Sequence, residues 1–519
     1  MKSKELIIKD LIKKRIKNRS DLDVFKRQTA KKYKIKCPSN IQLLKAYHEL
    51  VKKKRIKKSE NIEQLLITRP VRSLSGIVNI SVLTKPYPCP GKCLYCPLEK
   101  GFPKSYLSGE PAAERAKNLK YDPYIQVEQR IKMLEAGGHP TDKIDLRIIG
   151  GTWSYYPKNY QERFIKRCFD ACNNKTSENL NQTQKLNEKA KHRIIGLSVE
   201  TRPDFIDKKE IKRLRNLGVT KVELGVQSIY DDVLKINLRG HNIKETIKAT
   251  KLLKDAGFKL SYQVMPNLPG STPRKDIAMF EKLFSSSDFK PDLIKIYPCA
   301  LLKEAPLYEW YKKGKYKPYS VKQLINIIIE AKKKTPYYTR IERIIRDIPS
   351  PRVVKGAVKV SNLREVIKAK MERENSQCKC IRCREIKAEY DKKEKIHLFR
   401  EDYDASDGKE IFLTFENKNR TKLYSLLRLR IPADPILPVL KNSALIREIH
   451  TYGRMIPISK KGLAPQHKGL GKKLIKQAEK IVENEFEIKK IAVISAIGAR
   501  EYWRKFNYEL KNTYMVKSL

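Results

Sequence analysis

Apolar residues in the first sixty positions recur at helical spacing: Leu6, Ile7 and Leu11, then Ile41, Leu43, Leu44, Tyr47 and Leu50 after the turn Pro38-Ser39-Asn40. The opposite faces are mostly Lys and Arg, which predicts a small basic helical unit over 1–70. From Val71 the rhythm changes. Short apolar runs at 77–82, 144–149, 194–199, 221–225, 259–264 and 293–296 alternate with amphipathic helical stretches. Strand then helix, repeated, predicts a parallel sheet with crossover helices, a full or partial β/α barrel over 71–348. The Asn-, Lys- and Gln-rich stretch 173–191 interrupts it and reads as a mobile excursion. A charge-dense linker over 349–395 and a further α/β unit over 396–519 complete an α/β chain without internal repeats.

A chain of 519 residues exceeds one ordinary domain, and its 40% hydrophobic content is that of a globular protein. No apolar run approaches the ~18 residues of a membrane span. The start, Met1-Lys2-Ser3-Lys4, lacks the apolar core of a secretory signal, so no membrane association and a cytoplasmic location are expected. Lys and Arg number 112 against 58 Asp and Glu, a net charge of +54 that favours a polyanionic partner such as nucleic acid. A general bias towards Lys accounts for part of the total. Residues 1–60 alone hold 21 basic and 6 acidic side chains, so the excess is regional.

Six of the ten cysteines form two tight clusters, which without a secretion signal read as metal ligands rather than disulfides. Cys89-Pro-Gly-Lys-Cys93-Leu-Tyr-Cys96 follows the first predicted strand, where barrel enzymes build active sites. Three thiolates hold three irons of a [4Fe–4S] cube and leave the fourth open for S-adenosylmethionine. A zinc knuckle is the competing reading, but no further Cys or His lies between Cys96 and His139. The spacing, with Tyr95 before the last Cys, resembles the radical-SAM superfamily. That resemblance implies cofactor contacts from Gly150-Gly151-Thr152, Ser198, Glu200 and Arg202, and from Gln227 and Gln263 at later strand ends. Taken alone, the Gly pair reads as a turn, and Glu200 with Arg202 as an ion pair.

In the last unit, Gln466-His467-Lys468-Gly469-Leu470-Gly471 opens a helix after a strand that ends near Ile458. Backbone N–H groups at such a start meet an anion, and Q-x-x-G-x-G resembles the acetyl-CoA pyrophosphate loop of GNAT-type acetyltransferases. Tyr502 is a candidate general acid for the departing CoA thiolate, with aromatic packing as the alternative. Glu448 and His450 share a strand face and are further catalytic candidates, with a satisfied core His as the plainer reading. Cys378-Lys-Cys380-Ile-Arg-Cys383 offers three ligands for structural Zn²⁺, with His397 or Cys299 as a fourth, and a second iron–sulfur cluster as the alternative.

Together, Cys-Pro-Gly-Lys-Cys-Leu-Tyr-Cys-Pro, Glu-Thr-Arg-Pro-Asp, Gly-Val-Gln-Ser, Cys-x-Cys-Ile-Arg-Cys-Arg-Glu and the final Gln-His-x-Gly-x-Gly with Arg-Glu-Tyr resemble the catalytic subunits of the Elongator complex. The resemblance runs from about Pro38 to Leu519 and is closest to the compact forms that act without partner subunits. It implies a radical-SAM barrel joined to a GNAT-type domain that carboxymethylates carbon five of the wobble uridine in tRNA. It implies acetyl-CoA as carbon source, an electron donor for the cluster, and tRNA as partner; a homodimer or larger assembly stays open. The family commonly has Tyr-Tyr where this chain has Tyr502-Trp503. A protein-lysine acetyltransferase with a structural iron–sulfur domain is the second reading, and a basic tRNA-binding scaffold the third. Removing 1–58 is expected to weaken tRNA binding and flatten its salt dependence, because each lost phosphate contact removes released counterions. Filter binding across a salt series checks this; an unchanged slope refutes the assignment.

Overall fold

The computed structural model describes residues 2–14, 16, 18–360, 362–387, 393–453 and 469–519. Helices Lys2–Lys13, Arg19–Lys32, Asn40–Lys52 and Glu60–Leu66 form the basic N-terminal unit and share a core of Ile7, Leu11, Phe25, Leu44, Tyr47 and Leu50. Ser39 and Gln42 close a capping box at the start of the third helix, satisfying N–H groups that the helix itself leaves open.

Seven strands make the central sheet: β1 (Val78–Leu83), β2 (Lys143–Ile149), β3 (Arg193–Thr201), β4 (Lys221–Gln227), β5 (Lys259–Val264), β6 (Leu293–Ile296) and β7 (Arg340–Arg343). They run in sequence order and pair in parallel throughout. Among the described residues no pairing joins β1 to β7, so the barrel is a partial one with a lateral gap. Strands this buried read as apolar on the helix-facing side, while the lumen side carries charges.

The stretch 173–191 corrects the expectation of a mobile excursion. It holds the helix Leu180–Asn187, tied down by Thr183 Oγ1 donating to Asp170 at 2.8 Å and Asn187 Nδ2 donating to Asn173 at 2.8 Å. Its polar composition is a buried amide and hydroxyl network, which composition alone does not distinguish from a solvated loop.

The C-terminal sheet is built from β8 (His397–Ala405), β9 (Gly408–Glu416), β10 (Leu423–Ile431), β11 (Ala444–Thr451), β12 (Lys490–Val493), β13 (Glu509–Lys511) and β14 (Tyr514–Ser518). Its order is β13-β14-β12-β11-β10-β9-β8, antiparallel except for β11 beside β12. The helix Leu470–Asn484 packs Leu474, Ile475, Ala478, Ile481 and Val482 against this sheet. Expected strand residues beyond Gly453, up to Ile458, lie outside the described residues.

The two sheets meet along a buried ionic seam. Register shifts between β10 and β11 leave Arg447 as an extra residue between Glu448, opposite Arg428, and Ile446, opposite Leu429. This bulge turns Arg447 towards the barrel. There its guanidinium reaches Asp292 at 2.5 Å and Glu410 at 2.8 Å, while Arg430 joins Asp255 at 2.6 Å. Glu448 lies 2.7 Å from Lys259 and 2.9 Å from Arg428. Gly498 sits where a Cβ would stand 2.9 Å from the Ile194 backbone, so a glycine is needed for that turn to dock on β3.

Breaking a buried pair leaves an uncompensated charge, so Arg447→Ala is expected to cost on the order of 3–5 kcal/mol in urea denaturation. Burial by itself raises the Glu448 carboxyl, but Lys259 and Arg428 override it and hold it at about 2. A carboxylate lowered on folding stabilises fully above its unfolded range, about 4.3, and that stability is lost as pH falls towards the folded value. The stability gap between the native chain and Glu448→Gln is therefore expected to shrink from pH 6 to pH 3.

Candidate active site

The loop after β1 carries the first cysteine cluster to the C-terminal mouth of the barrel. The Cys93 and Cys89 sulfurs lie 3.5 and 3.7 Å from the point where a Cβ on Gly91 would stand, and Arg202 Nη1 lies 2.8 Å from it. Glycine is thus required for the guanidinium to approach the loop. Arg239 lies against Cys93, with Nη1 3.6 Å from the sulfur, while its Nη2 donates to the Gly225 carbonyl at 2.6 Å. Burial alone raises the Cys93 thiol; Arg239 outweighs it and leaves the thiol below its ordinary range. Arg202 Nη1 and Arg239 Nε are buried with no hydrogen-bond partner in the protein.

Two observations test whether these residues fit an iron–sulfur cube. Tetrahedral Zn–S bonds of about 2.3 Å place sulfurs roughly 3.8 Å apart. Among the described residues, the three-sulfur group gathered within 4.8 Å is Cys378, Cys380 and Cys383, and Cys89, Cys93 and Cys96 are not so gathered. Their wider spacing suits ligands on separate irons, and unpartnered buried guanidinium nitrogens suit an anionic cluster. The residues fit.

The remaining predicted cofactor contacts converge on the same mouth from neighbouring strand ends. Gly150 (φ +133°) and Gly151 (φ +110°) occupy backbone open to glycine, and a side chain on Gly150 would overlap Thr84. Thr152 caps the single turn Trp153–Tyr155. Glu200 accepts from Gln263 Nε2 at 3.2 Å and Tyr106 at 3.3 Å, and burial raises its carboxyl above the usual range despite Lys295 nearby. Gln227 stands at φ +67°, strained for a non-glycine, as is common at functional sites. Ser198 lies two residues deeper, opposite Lys221, where Glu200 lies opposite Glu223. Glu200 and Arg202 do not pair with each other: Arg202 chelates Asp204 at 2.7 and 2.9 Å, and Glu200 lies 3.6 Å from Lys295.

Below Glu200 the lumen is filled by charge of alternating sign. Lys295 bridges Glu200 and Glu223, Lys221 lies 3.0 Å from Glu223 and 3.2 Å from Glu342, and Glu342 meets Arg147 at 3.4 Å. This column ends at a cavity of about 1400 Å³ between the N-terminal strand ends and β11 and β12. Ile77, just before β1, Asn79 of β1, and Glu342 and Arg343 of β7 line it, so it borders both edges of the lateral gap. Its walls carry fifteen Lys and Arg against seven Asp and Glu.

Of the described C-terminal candidates, Glu448 and His450 line the other wall of that cavity, while Gly469, Leu470, Gly471 and Tyr502 lie outside its lining. Gln466, His467 and Lys468 lie outside the described residues. Gly469 (φ +74°) caps the helix that begins at Leu470, and a Cβ on Gly471 would stand 2.8 Å from the Tyr502 hydroxyl. Partial burial pushes that hydroxyl up to about 12, so it is protonated at neutral pH, as a proton donor must be. Trp503 is 2% exposed and packs against Tyr508, so of the adjacent aromatics Tyr502 faces the loop. Glu448 is held by Lys259 and Arg428; His450 Nε2 lies 2.8 Å from the Ser75 carbonyl, and its ring stacks on Tyr452.

Neither expected fourth zinc ligand joins the second cluster. Cys299 is buried in the packing around Tyr316 and Leu307, and His397 is exposed at the start of β8. Their distance in the fold, invisible in the sequence, is the reason. Lys332 Nζ lies 3.6 Å from Cys383, and the Ile381 N–H donates to Thr339, anchoring the cluster beside β7. Sequence reasoning missed Arg239, Lys295 and Tyr106. Leu238-Arg239-Gly240 carried one usable signal: Gly240 (φ +74°) lets Arg202 pack within 3.1 Å of its Cβ position.

A partial parallel barrel with a three-cysteine loop at its mouth defines a radical SAM enzyme. The Radical SAM superfamily model matches residues 87–283, and the Radical_SAM C-terminal domain model matches 291–373. The tRNA uridine(34) acetyltransferase of Methanocaldococcus infernus is 44% identical over 99% of this chain and 98% of its own. That of Methanocaldococcus jannaschii is 46% identical over 93% and 90%, and Elongator complex protein 3 of Homo sapiens 35% over 99% and 96%. The solved structure of the archaeal Methanocaldococcus infernus Elp3 lacking residues 1–46 superposes with a TM-score of 0.77 at 43% identity, covering 86% of this chain and all of that one. The chain belongs to the family of tRNA uridine(34) acetyltransferases and Elongator complex protein 3.

Because Arg239 places positive charge and an N–H donor on a cluster ligand, Arg239→Gln is expected to lower the cluster's reduction potential by tens of millivolts at near-native iron content. An anaerobic redox titration followed by electron paramagnetic resonance checks this.

Proposed function

We propose that the chain carboxymethylates carbon five of the wobble uridine of tRNA, using acetyl-CoA and S-adenosylmethionine. The observation that carries this reading is one cavity, lined by a basic wall, between the N-terminal strand ends of the radical SAM barrel and the C-terminal domain, whose Glu448, His450 and Trp503 line its far side. Cys89, Cys93 and Cys96 would hold the [4Fe–4S] cluster, and Gly150, Gly151, Glu200, Arg202, Gln227 and Gln263 the S-adenosylmethionine. When bound, this pair supplies a carbon-centred radical able to take hydrogen from an acetyl methyl group, whose C–H bond is too inert for a side-chain base.

Gly469 and Gly471 would leave the helix start bare for the CoA phosphates, with the helix dipole favouring their charge. Tyr502 would donate its proton to the departing CoA thiolate. Glu448 and His450, each already held by neighbours, would fix the cavity wall. The basic lining suits the anticodon-loop backbone, whose unpaired uridine can leave its stack at low energetic cost. Cys378, Cys380 and Cys383 would hold a structural Zn²⁺ that fastens the linker beside β7. The named activity of the curated relatives supports the tRNA reading and not the lysine acetyltransferase one. No helix of the described residues is long and apolar enough to cross a membrane, and a tRNA substrate supports a cytoplasmic reaction.

Anaerobic turnover with acetyl-CoA, S-adenosylmethionine, a reductant and tRNA is expected to yield 5′-deoxyadenosine and carboxymethyluridine, read by mass spectrometry of nucleosides. Acetylated lysine without either product overturns the proposal. Metal analysis separates the two clusters: replacing Cys89, Cys93 and Cys96 by Ala should remove about four irons and leave zinc, and replacing Cys378, Cys380 and Cys383 should do the reverse.

A further inference from the structure

Three of the loops that carry cofactor contacts each place an aromatic ring at the outer rim of the mouth, where the rings meet. Tyr87 comes two residues before Cys89, Tyr155 three after Thr152, and Phe205 three after Arg202. Tyr155 lies 6.0 Å from Tyr87, ring to ring, and 5.9 Å from Phe205 at an edge-on 78°. It is 39% exposed, so the rim presents an aromatic face to solvent directly outside the cluster loop.

A stacked column supports this face. Tyr87 stacks on Tyr156 at 5.0 Å and Tyr156 on Tyr160 at 5.2 Å, with interplanar angles of 29° and 21°. The Tyr156 hydroxyl is fixed by Thr84 at 2.8 Å and donates to the Lys85 carbonyl at 2.9 Å. The Lys85 ammonium sits 5.1 Å over the Tyr160 ring, and Lys85 and Lys158 are exposed beside the column. Packing explains Tyr156 and Tyr160, which the column encloses. It does not explain why the outermost ring, Tyr155, faces water.

We propose that Tyr155, backed by Tyr87 and Phe205, is a stacking platform for an unpaired nucleobase next to the target uridine, and so a positioning residue for the tRNA substrate. Its chemistry is that of single-stranded nucleic-acid sites, where aromatic faces take bases and neighbouring cations take phosphates. The platform deepens the tRNA reading above and rests on it. A base stacked here holds its neighbour over the cluster loop, because Tyr87 and Cys89 belong to one short turn.

The test uses the full chain, reconstituted anaerobically, with an anticodon stem-loop RNA carrying 2-aminopurine beside the target uridine, and a blunt RNA duplex of equal phosphate number. Tyr155→Ala is expected to weaken stem-loop binding about 5-fold or more, the loss of one base–aromatic stack, and to relieve the 2-aminopurine quenching. Tyr155→Phe should bind and quench like the native chain, and duplex binding should be unchanged in both. Iron content and stem-loop binding by the Phe variant guard against misfolding. Native-like quenching in Tyr155→Ala overturns the platform, as does an equal loss on the duplex, which assigns Tyr155 to the backbone. Should quenching depend on Tyr155 while the native chain forms no modified uridine, the platform stands and the tRNA-modification reading falls.

Discussion

The charges that fill the barrel lumen are tolerable because each has a partner of opposite sign within reach, and the architecture depends on that pairing. A lone ammonium or carboxylate in a low-dielectric interior costs several kcal/mol after relaxation. Lys221, Glu223, Lys295 and Glu342 are each at most 9% exposed, yet every one touches a partner of opposite sign. The column they form links the lumen sides of β4, β6 and β7. It also carries an electrostatic path from Glu200 at the mouth to Arg147 at the cavity. The seam around Arg447, Asp292 and Glu410 repeats the same solution between the two sheets, and so ties the acetyltransferase domain to the barrel in one orientation.

Much of this was legible in the chain because its signals are local. The parallel barrel follows from strand and helix alternating in order, and the mouth follows from cysteines and glycines that sit just after predicted strands. The glycines were readable for a backbone reason: Gly150 at φ +133° takes a conformation that side chains exclude. What stayed hidden was long-range. Arg447 reads as an ordinary strand residue until a bulge turns it towards Asp292, 155 positions away. The stretch 173–191 looked loose because Asn, Gln and Thr are the residues of solvated loops, and only the fold reveals that they hydrogen-bond one another. The fourth zinc ligand failed for a related reason, since proximity of Cys299 or His397 to the cluster is a property of the tertiary structure alone.

The split fate of Tyr502 and Trp503 shows how the C-terminal site is made from a short helix. Neighbours in a helix point about 100° apart, so one ring can enter the core while the next faces a ligand. Trp503 enters, packed on Tyr508 at 5.2 Å, and its burial holds the turn that presents Tyr502 to Gly471. A second tyrosine at 503 would bring a hydroxyl needing a partner into that core. Trp fills the volume with a single N–H, which leaves Tyr502 as the hydroxyl beside the glycine loop.

An incomplete barrel makes the combination of the two domains workable. A closed eight-stranded barrel packs its lumen and confines chemistry to the loops at one end. Here the missing pairing between β1 and β7 opens the side of the sheet, and the cavity that enters there is bordered by Asn79 and Glu342 on one hand and by β11 on the other. The cavity therefore meets the charged lower end of the lumen, where Lys221 and Glu342 of the buried column line it opposite β11. The seam at Arg447 keeps β11 against the strand bases, so the opening and the domain beside it are set by the same ion pairs.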